Sequence, residues 1–212
     1  MLGANDGILS TGALLLGVAS ADASRNAILT AGIAGLVAGA ASMAMGEYVS
    51  VSSQRDAERA ESAVEARELE TDPIGELAEL QGIYMRRGVS SDLAREVAEQ
   101  LMAKDALGAH LRDELGQNEQ SRARPIQAAL TSFVSFGLGA AIPLIVAAVA
   151  GSGARSAAIV AATLVGLLIL GAVAADLGGA HRTKGSLRVG VGGAIALALT
   201  FVVGSLLGTA VG

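Results

Sequence analysis

The chain has 212 residues, of which 52% are hydrophobic and 17% are charged, and its formal net charge is -5 at pH 7. A mean hydropathy of +0.54 is too high for an ordinary soluble domain of this length. The absence of cysteine excludes disulfides, thiolate zinc sites and iron–sulfur clusters. The net charge is acidic, whereas nucleic-acid-binding proteins usually carry a basic surface.

Five apolar segments are long enough to cross a bilayer as helices, which takes about 20 residues each. They cover approximately residues 1–19, 27–51, 126–150, 154–177 and 187–211. No basic n-region or cleavage site accompanies the first segment, which we interpret as a transmembrane helix and not a signal peptide. Small residues recur inside these segments, as in Gly35/Gly39, Gly137/Gly139 and Gly204/Gly208, and such residues let transmembrane helices approach closely. The alternative for any single pair is that glycine is simply tolerated in lipid.

A polar, carboxylate-rich segment separates the second span from the third. Residues 53–70 are predicted to continue the second helix, and Thr71-Asp72-Pro73 predicts a break followed by a new helix start. Gly88 is expected to end that helix. Ser90 or Ser91 then caps the next helix, and a last helix begins near Asp105. The segment is therefore predicted to be a three-helix insert.

The predicted fold class is an all-α membrane protein with five transmembrane helices and this cytosolic insert. Transmembrane helices one and two occupy residues 1–52, the helical metal-binding domain occupies 53–123, and transmembrane helices three to five occupy 124–212. Lys and Arg predict the orientation because they accumulate on the cytoplasmic side. Arg182, Lys184 and Arg188 follow the fourth span, whereas the links after spans one and three hold only Arg25 and Arg155. The N-terminus and the insert are thus predicted to be cytosolic, and the C-terminus to lie outside.

Ionisable side chains in the insert recur at three- and four-residue spacing, which places them on one helical face. The candidate metal ligands of the insert are Glu65, Glu68, Glu76, Glu79, His110 and Glu114. Two carboxylates on one face can share a divalent cation, and carboxylate with imidazole suits Fe²⁺, Mn²⁺, Co²⁺ or Zn²⁺. The alternative is a solvated acidic face whose charge is compensated by nearby arginines.

Asp6 lies inside the first apolar span, where an ionisable group is costly and suggests function. Met43 and Glu47 are four residues apart on the second span and share a helical face. A thioether and a carboxylate facing Asp6 would form a mixed site for a transition metal. The alternatives are an Asp6 at the membrane interface, a Met43 that only packs, and a Glu47 at the headgroup level.

Three motifs resemble those of the vacuolar iron transporter family, and the resemblance covers essentially the whole chain. The motifs occupy residues 2–7 (LGANDG), 41–48 (ASMAMGEY) and 124–129 (RPIQAA). The resemblance implies five spans with a cytosolic three-helix insert, a homodimer, and exchange of Fe²⁺ or Mn²⁺ for protons. The chain looks like a bacterial member, which would serve the cell exterior or periplasm.

The resemblance also implies roles for individual residues. Asp6 and Met43 would line the metal pathway through the membrane, and the five glutamates of the insert would be its metal ligands. His110 and Leu111 stand where plant-type members have two methionines, and Gly35 stands where they have a glutamate. Glu47, one turn beyond Met43, is a candidate for a ligand or proton-carrying role.

The sequence therefore predicts a transporter, not an enzyme, that exports Fe²⁺ from the cytosol across the cell membrane in exchange for protons, with Mn²⁺ as a further candidate substrate. Its predicted partners are divalent metal ions, protons, the lipid bilayer and a second copy of the chain, without nucleic acid. No cofactor is predicted besides the transported or bound metal, for which Co²⁺ and Zn²⁺ are also candidates. The alternative is a membrane-anchored metal sensor or buffer that binds without transporting.

Overall fold

The structure is a computed structural model. It describes residues 1–117 and 123–211, without the side chains of 209–211, and all regular structure in these residues is helical. A short 3-10 turn, Ser152–Ala154, precedes the sixth α-helix. The α-helices are α1 (Leu2–Ser20), α2 (Arg25–Thr71), α3 (Pro73–Arg86), α4 (Ser91–Asp113), α5 (Pro125–Val149), α6 (Arg155–Leu177) and α7 (Arg182–Val211). The predicted all-α class is confirmed.

Five of the described helices are long and apolar enough to cross a membrane, namely α1, α2, α5, α6 and α7. These are the five spans predicted from hydropathy. The protein is thus a multi-pass membrane protein, and large apolar side chains remain exposed along these helices, including Val149 and Leu177. Exposed apolar surface of this extent is what a lipid environment requires of a spanning helix.

Helix α2 has 47 residues, more than twice the length that a span needs. It ends at Thr71, and Asp72 caps α3 by accepting a hydrogen bond from the Gly75 N–H at 2.9 Å. Pro73 occupies the first turn of α3, where its missing N–H costs nothing. Gly88 follows α3 with a φ of +96°, a conformation that favours glycine. The continuation of the second helix and the break at residues 71–73 are confirmed.

The chain divides into two compact units. The membrane unit comprises Met1–Tyr48 and Ile126–Gly212, and the insert unit comprises Val49–Pro125. The metal-binding role assigned to residues 53–123, and their cytosolic location, stay predictions at this point.

Close helix contacts in the membrane unit depend on glycine. A Cβ on Gly7 would collide with the carbonyl oxygen of Phe136, and one on Gly139 would collide with that of Ala4, so α1 and α5 touch through their backbones. Gly137 makes no such close contact with the described residues of this chain. A Cβ at Gly137 would find no other described atom within 4 Å, because this glycine lies on another face of α5.

The fifth span begins earlier than predicted. Helix α7 starts at Arg182, so Arg182, Lys184 and Arg188 belong to its first turns and not to a loop. Hydropathy marks only the apolar part of a helix, and Lys and Arg are good helix formers that let the helix extend beyond it. The link between α6 and α7 is thereby reduced to residues 178–181.

The insert unit has a small core between α3 and α4. Leu80, Ile83, Ala98 and Ala109 are buried together there. Helix α4 is interrupted at Asp105, whose φ of -164° and ψ of 88° are not helical. The sequence predicted that a last helix begins near Asp105, and the structure has a break in α4 at this residue.

Candidate metal site

Four side chains from three helices of the insert unit converge. Each offers one ligand atom, and these atoms all lie within 4.8 Å of one another. Glu65 lies on α2, Glu76 on α3, His110 on α4, and Glu114 directly follows α4 as its C-cap. His110, Glu65 and Glu76 are buried, whereas Glu114 is exposed, so the cluster is shielded on the helix side and open to solvent at Glu114.

The imidazole nitrogen Nδ1 of His110 is at the centre of the cluster. It lies 3.0 Å from Glu65 Oε1, 3.4 Å from Glu76 Oε2 and 3.2 Å from Glu114 Oε2. Ligand atoms about 2.1 Å from one ion lie about 3.0 Å apart at a right angle and about 3.4 Å apart at the tetrahedral angle. The three separations from Nδ1 fall in this range, and all four ligand atoms lie within 4.8 Å of one another, so the cluster is a candidate site for a single transition-metal ion.

Two carboxylate oxygens of the cluster lie near His110 Nδ1 but form no hydrogen bond of good geometry. Glu65 Oε1 and Glu76 Oε2 are buried, and no donor among the described residues satisfies them with good geometry. A buried carboxylate oxygen without a donor is unfavourable unless a proton or a cation compensates its charge. The cluster is thus suited to hold either protons or a divalent cation.

The pKa values of the cluster reflect the same crowding. Burial raises the pKa of Glu65 to about 7, and the negative charge of Glu114 adds to the increase while His110 opposes it. Burial also raises the pKa of Glu76, again against the effect of His110. Near neutral pH, protons and a metal ion would therefore compete for the same oxygens.

Glu68 and Glu79 are placed differently from the other predicted ligands. Both are exposed, and neither belongs to the four-residue cluster. Their charges nevertheless act on it, because Glu68 raises the pKa of Glu65 and Glu79 raises that of Glu76. They form an outer acidic surface next to the cluster.

In the membrane unit, Asp6 and Met43 line an open cavity of about 310 Å³. Glu47 is exposed and does not line this cavity. The cavity thus brings together two of the three residues predicted for the membrane pathway.

Three hydroxyl side chains that the sequence analysis did not single out also line this cavity, namely Ser10, Thr11 and Ser42. The Ser10 hydroxyl donates to the backbone carbonyl of Asp6 at 2.6 Å. The signal that could have found Ser10 is its four-residue spacing from Asp6, which places both on one helical face. Hydroxyl and carboxylate oxygens together make this part of the cavity polar.

Five membrane-spanning helices and a cluster of carboxylates and imidazole define the class of the protein, a multi-pass membrane protein with a candidate site for a divalent metal. The profile of the VIT family matches residues 1–205, and the chain belongs to this family.

Several relatives are similar along nearly the whole chain. A vacuolar iron transporter of Acanthamoeba castellanii is 47% identical over 207 residues, covering 97% of this chain and 76% of the relative. Vacuolar iron transporter homolog 1 of Oryza sativa subsp. japonica is 37% identical, with 98% and 72% covered. Vacuolar iron transporter homolog 1 of Arabidopsis thaliana is 36% identical, with 99% and 82% covered. These relatives are named as transporters and not as enzymes.

Proposed function

We propose that the protein exports Fe²⁺, with Mn²⁺ as a second substrate, from the cytosol in exchange for protons. It would act as a homodimer in the cell membrane, with the N-terminus and the insert unit on the cytosolic side. Membership in the VIT family and similarity to proteins named iron transporters support metal transport. The Lys and Arg residues at the start of α7 support the orientation.

The observation that carries the proposal is the convergence of Glu65, Glu76, Glu114 and His110 on one point. Three carboxylates and an imidazole match the ligand preferences of Fe²⁺ and Mn²⁺ better than those of Cu⁺, which prefers sulfur. The proposed role of the cluster is to capture metal from the cytosol, with Glu68 and Glu79 attracting cations towards it. Asp6, Met43 and Glu47 are assigned to the passage through the bilayer.

The chemistry of the ligands supports the proposed proton coupling. A carboxylate must be deprotonated to bind a metal, so each binding event releases any proton that the carboxylate holds. Glu65, with its pKa of about 7, would hold a proton for part of the time at neutral pH. A proton gradient can thus drive metal release, and the proposed mechanism requires no nucleotide.

Transport and binding can be tested separately on the full chain. In proteoliposomes with an acidic lumen, external Fe²⁺ should enter the lumen as protons leave, and Asp6→Asn should reduce this uptake about tenfold or more. The same variant should bind Co²⁺ at the insert cluster in detergent with unchanged affinity. Asp22→Asn is the matched control, because Asp22 is an exposed carboxylate in the link between α1 and α2 and should leave uptake unchanged.

The alternative function, a metal buffer without transport, gives a different pattern. A buffer needs the cluster but not Asp6. Glu65→Gln would then abolish Co²⁺ binding, and neither the parent protein nor any variant would take up metal under a proton gradient. Proton-driven uptake that is absent from the parent protein, or equally fast in the Asp6→Asn variant, would contradict the proposed transport through Asp6.

A further inference from the structure

The last part of α4 is a short helix in its own right. At Asp105 the backbone leaves helical geometry, and Oδ1 of Asp105 accepts a hydrogen bond from the Gly108 N–H at 3.0 Å. This is the arrangement of an N-cap, so residues 106–113 begin a new helical segment. Isolated helices shorter than about 12 residues are marginal in water, so contacts with its neighbours must set the direction of this segment.

Asp113, at the end of this segment, is joined to the end of α3. Arg87 donates from Nη1 to Asp113 Oδ1 at 2.7 Å and from Nη2 to the backbone carbonyl of Asp113 at 2.9 Å. The Tyr84 hydroxyl donates to Asp113 Oδ2 at 3.0 Å. The guanidinium of Arg87 also lies over the Tyr84 ring, 5.3 Å from its centre. Two side chains of the α3 end therefore hold one carboxylate of α4.

Asp113 differs from the proposed ligands in how its charge is satisfied. Its side chain is 9% exposed, and Arg112 donates a further hydrogen bond to Oδ2 at 2.6 Å. Arg87 donates to Oδ1, and Tyr84 and Arg112 donate to Oδ2, so both carboxylate oxygens are already occupied and Asp113 is not available as a metal ligand.

The position of this carboxylate connects it to the cluster. In sequence, Asp113 lies between His110 and Glu114, at the end of the short segment. Its partners Tyr84 and Arg87 lie at the end of α3, and Glu76 lies in the first turn of the same helix. Any sliding of the segment along α3 would change the 3.4 Å separation of His110 Nδ1 from Glu76 Oε2. The hydrogen bonds of Asp113 with Tyr84 and Arg87 would keep these ligand atoms at distances that one ion can bridge.

We infer that Asp113, held by Tyr84 and Arg87, is a positioning residue that sets the geometry of the metal cluster without binding the metal. The inference rests on the metal-capture role proposed for the cluster. The Arg87–Asp113 ion pair would then be functional although neither residue is a metal ligand. Its signature is a change in the coordination of the bound metal, in addition to a change in affinity.

Co²⁺ titrations of the full chain in detergent test the inference, because the visible absorption of Co²⁺ depends on its coordination geometry. Asp113→Asn keeps the shape of the side chain but weakens its hydrogen bonds, and should lower Co²⁺ affinity about tenfold or more. At saturating Co²⁺ its absorption spectrum should differ from that of the parent. Glu99→Gln is the matched control, since it also removes one acidic charge from α4. Glu99 is exposed, and its Oε1 atom lies 2.9 Å from Nε of the exposed Arg95.

The outcomes separate the inference from the proposed function. If Glu65→Gln weakens Co²⁺ binding while Asp113→Asn and Glu99→Gln both bind like the parent with unchanged spectra, the positioning role is wrong and the capture site stands. If the parent binds no Co²⁺, both are wrong. If Asp113→Asn merely destabilises the fold, its folded fraction would show the parent spectrum, and this result also contradicts positioning.

A second variant covers the case in which Asp113→Asn does not fold. Arg87→Lys keeps the positive charge but loses the planar fork that reaches the carboxylate and the backbone carbonyl together. It should weaken Co²⁺ binding less than Arg87→Gln does, and both should shift the Co²⁺ spectrum. Equal and parental affinity in the two Arg87 variants would contradict the inference.

Discussion

The imidazole of His110 lies fully buried, with oxygens of Glu65, Glu76 and Glu114 within 3.4 Å of its Nδ1 atom. Three carboxylates around one imidazole cannot all remain ionised without cost, and burial raises the pKa of Glu65 to about 7. At the residue scale the cluster is therefore a site where stability, protonation and metal binding are linked.

This linkage predicts that the metal-free insert unit loses stability as pH rises. The pKa of Glu65 is higher in the folded state than its ordinary value of 4.5. Its contribution to the free energy of unfolding is therefore fully present below pH 4.5 and is lost as the pH rises to about 7. The shift sets an upper limit of about 3 to 4 kcal/mol on this loss of unfolding free energy. Urea unfolding of the chelator-treated protein, followed by tyrosine emission, should show this decrease.

The Tyr48→Phe background makes this measurement specific, because Tyr84 is then the only tyrosine and lies in the insert unit. Glu65→Gln in that background should remove most of the slope, leaving the smaller part due to Glu76. A stability that rises between pH 4.5 and 7 in the metal-free protein would contradict the predicted sign.

At the scale of elements, glycine decides which helices touch. In α5 the two glycines of one sequence motif have opposite surroundings, since a Cβ on Gly139 would collide with the Ala4 carbonyl oxygen and one on Gly137 would meet no other described atom. The sequence motif alone does not distinguish them. The distinction arises because residues two apart on a helix point in very different directions.

Alanine substitutions should therefore separate the two positions. Gly139→Ala should destabilise the membrane unit by about 1–3 kcal/mol, because overpacking at a backbone contact forces α1 and α5 apart. Gly137→Ala should be neutral or slightly stabilising, since alanine favours the helical state. Thermal melting in detergent measures both variants, and equal melting temperatures would contradict the close α1–α5 contact.

At the scale of the whole molecule, the natural absence of cysteine permits a direct test of orientation. Single cysteines can be placed at Ser152, in the link before α6, at Lys184 in the first turn of α7, and at Glu99 in the insert unit. The orientation proposed from Lys and Arg predicts that a membrane-impermeant maleimide labels only the Ser152→Cys variant in intact cells.

All three variants should react once the cells are lysed, which controls for accessibility of each thiol. Labelling of Glu99→Cys or Lys184→Cys in intact cells would place the insert unit or the start of α7 outside, and the proposed direction of transport would then fail.

Much of the fold could be predicted from the sequence because the relevant signals are local. Apolar length indicated the five spans, Asp72 and Pro73 indicated the start of α3, and Asp105 indicated the interruption of α4. Where the prediction was wrong, as at the start of α7, hydropathy could not follow a helix into its charged turns.

The sequence by itself thus determined the helices, the family resemblance and a set of candidate ligands. Only the tertiary structure decided that Glu65 and Glu76 meet His110 while Glu68 and Glu79 remain exposed, and that Asp113 joins α4 to α3. The physical reason is that periodicity assigns side chains to a helical face, whereas the crossing of separate helices determines which of them come within bonding distance.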